Sequence, residues 1–568
     1  MNIRRVTLIG IFFIFSSYAI AQHQPVKAFT KADTLRGSIT SERSWWDLLH
    51  YTINIQPNIT NKTIEGNVAV KFRAIKDGKR LQIDLQQPLI IDSVTQLDPS
   101  LKTKQLSFKR EGDVAYIQFP KSINKGTISM IKIFYHGKPR EAVRPPWDGG
   151  ISWKKDINGA PFVSTSCQGL GASVWWPCKD HQADEPDSGM IISVKVPDTL
   201  VEVSNGRLIK IIQHNDHTKT FVWEVKNPIN NYGVSLNIGN YELTKDTFNG
   251  EGGTLDLNYY ILKAHQDSAI QQLKQVKEML KCFEYWMGKY PFYEDGYKLV
   301  EVPYLGMEHQ SNVAYGNKFK NGYLGRDLSG TGWGLNWDFI IIHESGHEWF
   351  GNNITSKDIA DMWIHEGFTN YTETLFTQWL NGKKAANEYN FGSRKNILND
   401  IPIIGPEGVN KSGSGDMYSK AGAMIHSIRN AMNDDEQFRR MLRELNKQFY
   451  HSTITTKDVE KVINQFTGFS VDKIFNQYLR EIKIPVFEYY ISADSSKMNY
   501  RYTNSVDGFN MPLVIPVGDS TIRISPKNET WQSLNLGNEM ANKIQIKELD
   551  KFFYLTVYEK KEIAIKAF

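Results

Sequence analysis

The segment FIIIHESGHEWFGN contains two histidines, His343 and His347, that are four positions apart. Because four residues make about one turn of an α-helix, this spacing predicts a helix that presents both imidazoles on one face. Two imidazoles on one face can bind the same tetrahedral Zn²⁺ at about 2.0–2.1 Å. Glu344 is the next residue around the helix, where it lies beside the metal and can act as a base for an attacking water. The segment therefore predicts a catalytic zinc site on a helix.

Two histidines leave a zinc site short of protein ligands, and Glu366 in DMWIHEGFTNY is the candidate for the third. Eighteen residues separate it from His347, which is enough for a loop and the start of a second helix. Three protein ligands and an open fourth position are typical of catalytic zinc sites. Asp361 and Glu373 are candidates to hold the ligand imidazoles by hydrogen bonds, whereas His365 should face elsewhere. We predict one Zn²⁺ per chain.

The chain of 568 residues is too long for one hydrophobic core, so several domains are expected. Short alternating runs between about Trp46 and Lys245, among them YTINI, NVAVKF and KIFYHG, predict an all-β domain over residues 22–245. Helical patterns predict a mainly helical catalytic domain over residues 246–485. Short strands return in FEYYISAD, STIRISP and FFYLTVYEK and predict a small C-terminal β-domain over residues 486–568. The predicted fold class is multidomain α+β.

The helical pattern begins after Ala264, where apolar residues recur at helical spacing and Asp267 is the candidate N-terminal cap. The apolar positions are Ile270, Leu273, Val276, Leu280 and Phe283. Further helices are predicted near residues 336–350, 366–379, 421–432, 436–449 and 456–466. These segments together make up the predicted catalytic domain.

The balance of charge argues against one class of partner. The chain carries 67 Lys and Arg against 62 Asp and Glu, a formal net charge of +5, without a run of basic residues. Because binding to a nucleic-acid backbone requires clustered basic residues, nucleic acid is not expected as a partner. We expect a monomer.

The first residues have the pattern of a secretory signal peptide. MNIRR is followed by an apolar stretch from Val6 to about Ile20 and by a small-x-small site, so residues 1–21 are predicted to be removed by cleavage after Ala21. A signal anchor is the alternative, but the stretch is shorter than the ~20 residues that span a bilayer. We expect an exported protein, periplasmic or extracellular, that no membrane segment retains after cleavage.

Three cysteines, Cys167, Cys178 and Cys282, are too few for a disulfide framework in a chain of this length. Cys167 and Cys178 could form a disulfide across a loop, or they could be buried free thiols. The sequence leaves both possibilities open.

HESGHEWFGN, followed by EGFTNY, resembles the signature of the zinc aminopeptidases of the aminopeptidase N type, a branch of the thermolysin-like gluzincins. The family's second motif ends in a run like WLNEGF, and WIHEGF stands in that place here. GNVAVKF, WWPCKD, YLGMEHQ and YSKAGA follow in the family's order between about residues 46 and 485. The resemblance implies a saddle-like N-terminal β-domain and a thermolysin-like catalytic domain.

The resemblance also implies how a substrate is held. YLGMEHQS is similar to the family's G-A-M-E-N strand, whose Glu binds the free α-amino group, and Glu308 matches that Glu. Leu305 and His309 depart from the first Gly and the final Asn of this motif. Gly306 and Met307 would contribute backbone and wall to the substrate pocket.

Two further residues take their roles from the resemblance. Tyr418 in DMYSKAGAMIH matches the family's Tyr that donates its phenolic hydrogen to the developing oxyanion. Gln168 in CQGLGASVWWPCKD is similar to the family's Gln that lines the pocket beside the first residue of the substrate. The N-terminal β-domain would then form part of the active site.

These residues predict a zinc-dependent aminopeptidase whose partners are peptides with a free N-terminus. A thermolysin-like endopeptidase, which needs the same zinc ligands but no amine anchor, is one alternative. A catalytically inactive peptide-binding protein is another, although an inactive relative would have no need of Glu344.

Overall fold

The computed structural model describes residues 29–97 and 103–561, so the predicted signal peptide, residues 1–21, lies outside the described residues. The described chain forms an N-terminal β-domain, a mainly helical domain and a small C-terminal β-domain. This is the predicted multidomain α+β architecture. Between residues 29 and 561, with the gap noted, no helix has both the length and the apolar character that crossing a bilayer requires.

The first domain consists of strands that follow two short helices. The helices are α1 (Lys31–Gly37) and α2 (Ser41–Ser44), and the strands are β1 (Trp46–Asn58), β2 (Thr63–Ala74), β3 (Gly78–Asp84), β4 (Ile90–Leu97), β5 (Thr103–Glu111), β6 (Val114–Ile123), β7 (Ile128–Gly137), β8 (Gly150–Lys155), β9 (Pro161–Ser166), β10 (Met190–Pro197), β11 (Val201–Val203), β12 (Arg207–Gln213), β13 (Thr218–Val225) and β14 (Asn237–Gly239). In the described chain they form a ten-stranded sheet, in the order β12-β13-β10-β1-β2-β7-β4-β5-β6-β3, and a four-stranded sheet, in the order β11-β14-β9-β8.

The alternation that predicted these strands also places their core. In β1, Tyr51, Ile53 and Ile55 are buried, whereas Thr52 and Asn54 between them are half-buried. Because successive side chains of a strand point to opposite faces, this period of two places one face of the strand in the core. The strand predictions YTINI, NVAVKF and KIFYHG fall within β1, β2 and β7 and are confirmed.

The second domain combines a five-stranded sheet and a two-stranded sheet with most of the helices of the described chain. Its strands are β15 (Tyr241–Gly250), β16 (Gly253–Leu262), β17 (Tyr297–Glu301), β18 (Gly306–Met307), β19 (Val313–Tyr315), β20 (Ile354–Ser356) and β21 (Ser452–Ile454). Its helices are α3 (Gln266–Leu273), α4 (Gln275–Met287), α5 (Phe339–Gly346), α6 (Trp363–Ser393), α7 (Ser419–Met432), α8 (Asp435–Gln448), α9 (Thr456–Thr467) and α10 (Asp472–Phe475). The sheet order is β15-β16-β17-β19-β18, and β20 pairs with β21.

Two details of the predicted second domain are corrected by the structure. The predicted boundary between residues 245 and 246 falls inside β15, which pairs with β16 along its whole length, so the sheet assigns β15 to the second domain. Asp267 lies in the first turn of α3 rather than at its cap, which is His265. Leu273, Val276, Leu280 and Phe283 are buried as predicted, but Ile270 is 55% exposed.

The C-terminal domain packs on the far ends of α6 and α7. Its elements are β22 (Val486–Ile491), β23 (Lys497–Thr503), β24 (Leu513–Val517), β25 (Ser520–Ile524), β26 (Gln532–Asn535), α11 (Asn538–Ala541) and β27 (Thr556–Glu559). Arg394, just after α6, donates to the carbonyl of Phe553 at 2.9 Å. The backbone N–H of Tyr554 donates to the hydroxyl of Ser427 on α7 at 2.8 Å. The small domain therefore braces the two helices.

The three cysteines are buried free thiols. Cys167 and Cys178 belong to the core of the first domain, and Cys282 belongs to the core of the second. Of the two possibilities left open by the sequence, the structure shows the free thiols.

Candidate active site

The position of helix α5, which carries His343, is set by its N-terminal cap. The carboxylate of Asp338 accepts hydrogen bonds from two backbone N–H groups of the first turn, at 3.0 and 3.3 Å. The same carboxylate accepts a hydrogen bond from the hydroxyl of Tyr315 on β19 at 2.7 Å. The helix ends at Gly346, and His347 is the residue that caps it. These bonds attach the helix to β19, the neighbour of the edge strand β18 in the five-stranded sheet.

The structure brings His343, His347 and Glu366 together. Oε2 of Glu366 lies 3.7 Å from Nε2 of His343 and 3.3 Å from Nε2 of His347. The candidate ligand atoms of the three residues all lie within 4.8 Å of one another, and all three side chains are buried. Glu366 reaches this point because it lies in the first turn of α6, which packs beside α5.

The donor set fits a zinc ion. Oε2 of Glu366 is buried and has no hydrogen-bond partner among the described residues, although two imidazole nitrogens face it. Leaving such an oxygen unsatisfied is costly, and a cation among the three side chains would satisfy it. Two imidazoles and one carboxylate form the three-ligand set that leaves a catalytic zinc open to water or substrate.

Hydrogen bonds on the far side of each imidazole set its orientation. Nδ1 of His343 lies 2.8 Å from Oε1 of Glu373, which confirms the contact predicted for Glu373. Nδ1 of His347 lies 3.0 Å from the carbonyl oxygen of Phe350. Because these acceptors hold the Nδ1 protons, each Nε2 keeps its lone pair for a metal.

The prediction that Asp361 holds a ligand imidazole is wrong. Its carboxylate instead accepts hydrogen bonds from the hydroxyl and the backbone N–H of Thr456, at 2.6 and 3.1 Å. Asp361 lies in a turn before α6, so the helical spacing that brings Glu373 onto the face of Glu366 does not extend to it. Its bonds tie the start of α9 to the start of α6.

Replacing Glu373 by glutamine is expected to weaken zinc binding about 10- to 100-fold, because the carboxylate that orients His343 loses its charge. Zinc affinity, measured by competition with a fluorescent chelator, checks this. Glu388→Gln is the matched control, since Glu388 lies on the same helix and its carboxylate bonds to Trp333. A Glu373→Gln variant with the zinc affinity of the wild type would contradict the orienting role.

Glu344 lies beside the ligands and against strand β18. A Cβ atom at position 306 would approach Oε1 of Glu344 to 2.8 Å and the side chain of Ile340 to 2.8 Å, so Gly306 leaves the room that this carboxylate occupies. Candidate ligand atoms of Glu344, Glu308 and His347 lie within 4.8 Å of one another. Burial raises the pKa of Glu344 to about 7, the direction that suits a group that exchanges a proton near neutral pH.

Gln168 links the predicted amine anchor to the ligand set. Its Nε2 donates to Oε1 of Glu308 at 2.6 Å and to Oε1 of Glu366 at 2.9 Å. The backbone carbonyl of Glu308 accepts a hydrogen bond from the side-chain amide of Asn352 at 3.0 Å. Glu308 is thus held through both its side chain and its backbone, and the first domain contributes directly to the site.

Tyr418 lies against the ring of His343. The two rings are stacked, with centroids 6.0 Å apart and planes at 24°. Burial and the charges of Glu366 and Glu308 raise the pKa of Tyr418 well above its usual range. The hydroxyl therefore stays protonated at neutral pH and can donate a hydrogen bond.

A cavity of about 510 Å³ joins these residues. Its apolar lining includes Trp147, Leu305, Met307, Leu328, Phe339, Ile340 and Met417. Its polar lining includes the three candidate ligands, Glu344, Glu308, Gln168, Glu373 and Tyr418, and no Lys or Arg of the described chain lines it. All the predicted site residues except Asp361 therefore border one space.

Two residues of the site were missed by the sequence analysis. Trp147 is 67% exposed and lines the cavity, and the only signal for it in the sequence was a Trp within the Pro- and Gly-rich run RPPWDGG. Tyr232 is buried with its hydroxyl 3.2 Å from Nδ1 of His365, and nothing in its local sequence indicates this. His365 itself faces away from the ligand cluster, as predicted.

Two family models match the chain. Residues 48–232 match the peptidase M1 N-terminal domain, and residues 271–478 match the peptidase family M1 domain. The chain belongs to peptidase family M1. The M1 N-terminal match contains Gln168, and the M1 domain match contains the candidate zinc ligands, Glu308 and Tyr418.

Curated relatives match most of this chain at low identity. The probable aminopeptidase 2 of Sulfurisphaera tokodaii is 22% identical over 506 residues, 85% of this chain and 61% of that protein. The puromycin-sensitive aminopeptidase of Caenorhabditis elegans is 20% identical over 85% of this chain and 50% of that protein. The leukotriene A-4 hydrolase of Xenopus laevis is 22% identical over 75% of this chain and 69% of that protein. The chain thus spans about half to two thirds of the length of these relatives.

Solved M1 structures share the fold. A mutant of the M1 zinc metallopeptidase from Deinococcus radiodurans, bound to a Tyr-Ser-Ala substrate, superposes with a TM-score of 0.65 at 17% sequence identity. The match covers 77% of this chain and 95% of that chain. The predicted architecture of an N-terminal β-domain followed by a catalytic domain is therefore confirmed as an M1 fold.

Proposed function

We propose that this chain is a zinc-dependent aminopeptidase that removes the N-terminal amino acid from peptides. The observation that carries the proposal is the buried carboxylate of Glu308, which lies with Glu344 and His347 in one cluster. A carboxylate there can pair with a substrate ammonium, whereas a peptide with a blocked N-terminus would leave it desolvated and unpaired. The aminopeptidase names of the Sulfurisphaera tokodaii and Caenorhabditis elegans relatives support the same activity.

We propose that His343, His347 and Glu366 hold one zinc ion. When bound, zinc would polarise the scissile carbonyl and lower the pKa of a water molecule. Glu344 would take a proton from the attacking water and pass it to the leaving amine, because its carboxylate is beside the ligand cluster rather than in it. Tyr418 would donate its phenolic hydrogen to the oxygen on which negative charge develops.

An endopeptidase would need a cleft that continues past the amine of the first residue. In this chain Glu308 and Gln168 occupy that end of the site, joined by a hydrogen bond of 2.6 Å. These two residues favour the aminopeptidase over the thermolysin-like alternative. We also propose export, on the pattern of residues 1–21, and a monomeric state.

Acetylation of a peptide's N-terminus is expected to lower kcat/KM at least about 100-fold, because leaving one buried charge of a pair unpaired costs several kcal/mol. The measurement compares one aminoacyl peptide with its acetylated form at the same zinc loading. Glu308→Ala should remove most of the difference between the two peptides. Equal cleavage of both by the wild type would instead indicate an endopeptidase.

A further inference from the structure

A second cavity, of about 600 Å³, adjoins the active-site cavity. Its lining includes four aromatic rings, those of Phe162, Tyr304, Tyr315 and Phe319. Leu305 is the one described residue that lines both cavities, and its side chain is half-buried, so it stands between the two spaces. The proposed mechanism gives this second space no task.

The order of residues along the anchor strand places the second cavity relative to a bound peptide. Glu308 is the proposed anchor for the amine of the first residue. Gly306 lies against the carboxylate of Glu344, which acts at the scissile bond. Leu305 comes next, three residues before Glu308 on a strand paired with β19, so about 10 Å of extended chain separates the two. A peptide laid along this strand therefore reaches Leu305 with its second or third residue, which belongs to the leaving part.

The wall that Phe319 forms is held in a conformation that bulky residues rarely adopt. Lys318 and Phe319 have φ angles of 56° and 53°, both in the left-handed region. The side-chain oxygen of Asn317 holds this loop by accepting a hydrogen bond from the backbone N–H of Leu324 at 2.7 Å. The ring of Phe319 packs on Tyr315, with centroids 5.3 Å apart. Backbone strain of this kind is concentrated at functional sites, which supports a binding role for the wall.

The charged groups of the second cavity leave its buried part to uncharged side chains. Glu301 is buried, and one oxygen of its carboxylate accepts a hydrogen bond from the backbone N–H of Leu262 at 2.9 Å. The other oxygen lies 2.5 Å from Nδ1 of His265. Both oxygens thus have a partner, and Lys318 in the same lining is exposed to solvent. The cavity therefore suits a ring or an aliphatic group better than a charge.

We propose that the second cavity is a subsite that receives an aromatic or bulky apolar side chain from the second or third residue of the peptide, past Leu305. The inference rests on the proposed aminopeptidase function and adds a preference to it: peptides with such a side chain after the scissile bond are the better substrates. Both domains form the subsite, since Phe162 lies in β9 of the first domain and Tyr315 in β19 of the second.

Tripeptides with amidated C-termini test the subsite in the zinc-loaded full chain. Two series keep the first residue that the wild type cleaves best and place Ala or Phe at either the second or the third position. In one of the two series, kcat/KM for the Phe peptide should exceed that for the Ala peptide about tenfold, the effect of burying part of one aromatic ring. Equal kcat/KM for Ala and Phe in both series would overturn the inference.

Ser268→Trp fills the second cavity and leaves every residue of the mechanism in place. Ser268 is an exposed residue of α3 that lines this cavity and not the active-site cavity. The variant should lose the preference for Phe over Ala. It should hydrolyse an aminoacyl p-nitroanilide, which has no leaving peptide, with the kcat/KM of the wild type. Gln271→Trp is the matched control, since Gln271 is exposed on the same helix outside the cavity, and it should keep the preference.

Phe319→Ala tests the same subsite by removing one wall. The preference for Phe over Ala should fall in this variant too, because the substrate ring loses an aromatic neighbour. Thermal melting shows whether each variant is folded, and the Ser268→Trp result stands even if Phe319→Ala does not fold. A Phe preference that Ser268→Trp keeps in full would overturn the inference, since the ring would then bind elsewhere.

The outcomes separate this inference from the proposed function. If the wild type releases the first residue from neither the tripeptides nor the p-nitroanilide, the aminopeptidase proposal fails and the subsite fails with it. If the wild type releases the first residue from all of them without a preference for Phe, the subsite alone is overturned. A loss of p-nitroanilide hydrolysis in Ser268→Trp would also overturn it, since that result indicates a general effect on the active site.

Discussion

Replacing Glu344 by glutamine is expected to lower kcat about 10³-fold, within the range that a positioned general base contributes. Glutamine keeps the shape of the side chain beside Gly306 but cannot take a proton from the attacking water. Because Glu344 is not one of the three candidate ligands, the variant should bind one zinc per chain. Steady-state kinetics on an aminoacyl substrate, with zinc measured by atomic emission on the same sample, check both parts of this expectation.

Glu284→Gln is the matched control for this substitution. Glu284 is a buried carboxylate of α4 that accepts hydrogen bonds from the backbone N–H of Tyr290 at 3.0 Å and from the hydroxyl of Tyr293 at 2.8 Å, away from the cavity. The Glu284→Gln substitution should lower the free energy of unfolding and leave kcat close to that of the wild type. Unchanged hydrolysis by a zinc-loaded Glu344→Gln variant would refute the mechanism.

Replacing Glu366 by glutamine is expected to weaken zinc binding by more than about 100-fold, because losing a direct ligand should exceed the effect of losing an orienting partner. Only two imidazoles would then remain, and the amide would not supply the negative charge that faces both Nε2 atoms at 3.3 and 3.7 Å. Activity should fall with zinc occupancy and return in part at high zinc concentration. Titration with a competing chelator and activity at several zinc concentrations measure the two effects.

Comparing the loss of zinc affinity in two variants tests which residues are the zinc ligands. Glu366→Gln should weaken zinc binding more than Glu373→Gln, because Glu366 faces Nε2 of both histidines whereas Glu373 contacts Nδ1 of His343. If Glu373→Gln weakened zinc binding more than Glu366→Gln, the ligand set would be misassigned. Zinc bound by Glu366→Gln as tightly as by the wild type would lead to the same conclusion.

The ligand set could be predicted because each step depended on local geometry. The spacing of His343 and His347 places both side chains on one face of any α-helix, and Glu373 follows Glu366 by two helical turns. The structure shows these contacts. Asp361 was predicted wrongly because it precedes the helix, where that spacing has no meaning.

The positions of Glu308, Gln168 and Tyr418 came from likeness to a family, since no periodicity relates them to the zinc ligands. Gln168 contacts Glu366 across 198 residues of sequence, a pairing that depends on how two domains pack. The boundary near residue 245 was misplaced for a related reason. Alternation identifies β15 as a strand but cannot say that its partner is β16 of the second domain.

By itself, the sequence determined what depends on local spacing: the strands, the helices and the three candidate ligand side chains on two helices. Only the tertiary structure decided which groups from distant segments surround these side chains. The imidazole of His365 contacts the hydroxyl of Tyr232 at 3.2 Å and accepts a hydrogen bond from the N–H of Ser356 at 2.8 Å because β20, α6 and a turn of the first domain meet at one point. Hydrogen bonds act over about 3 Å, so such a contact exists only after the chain has packed.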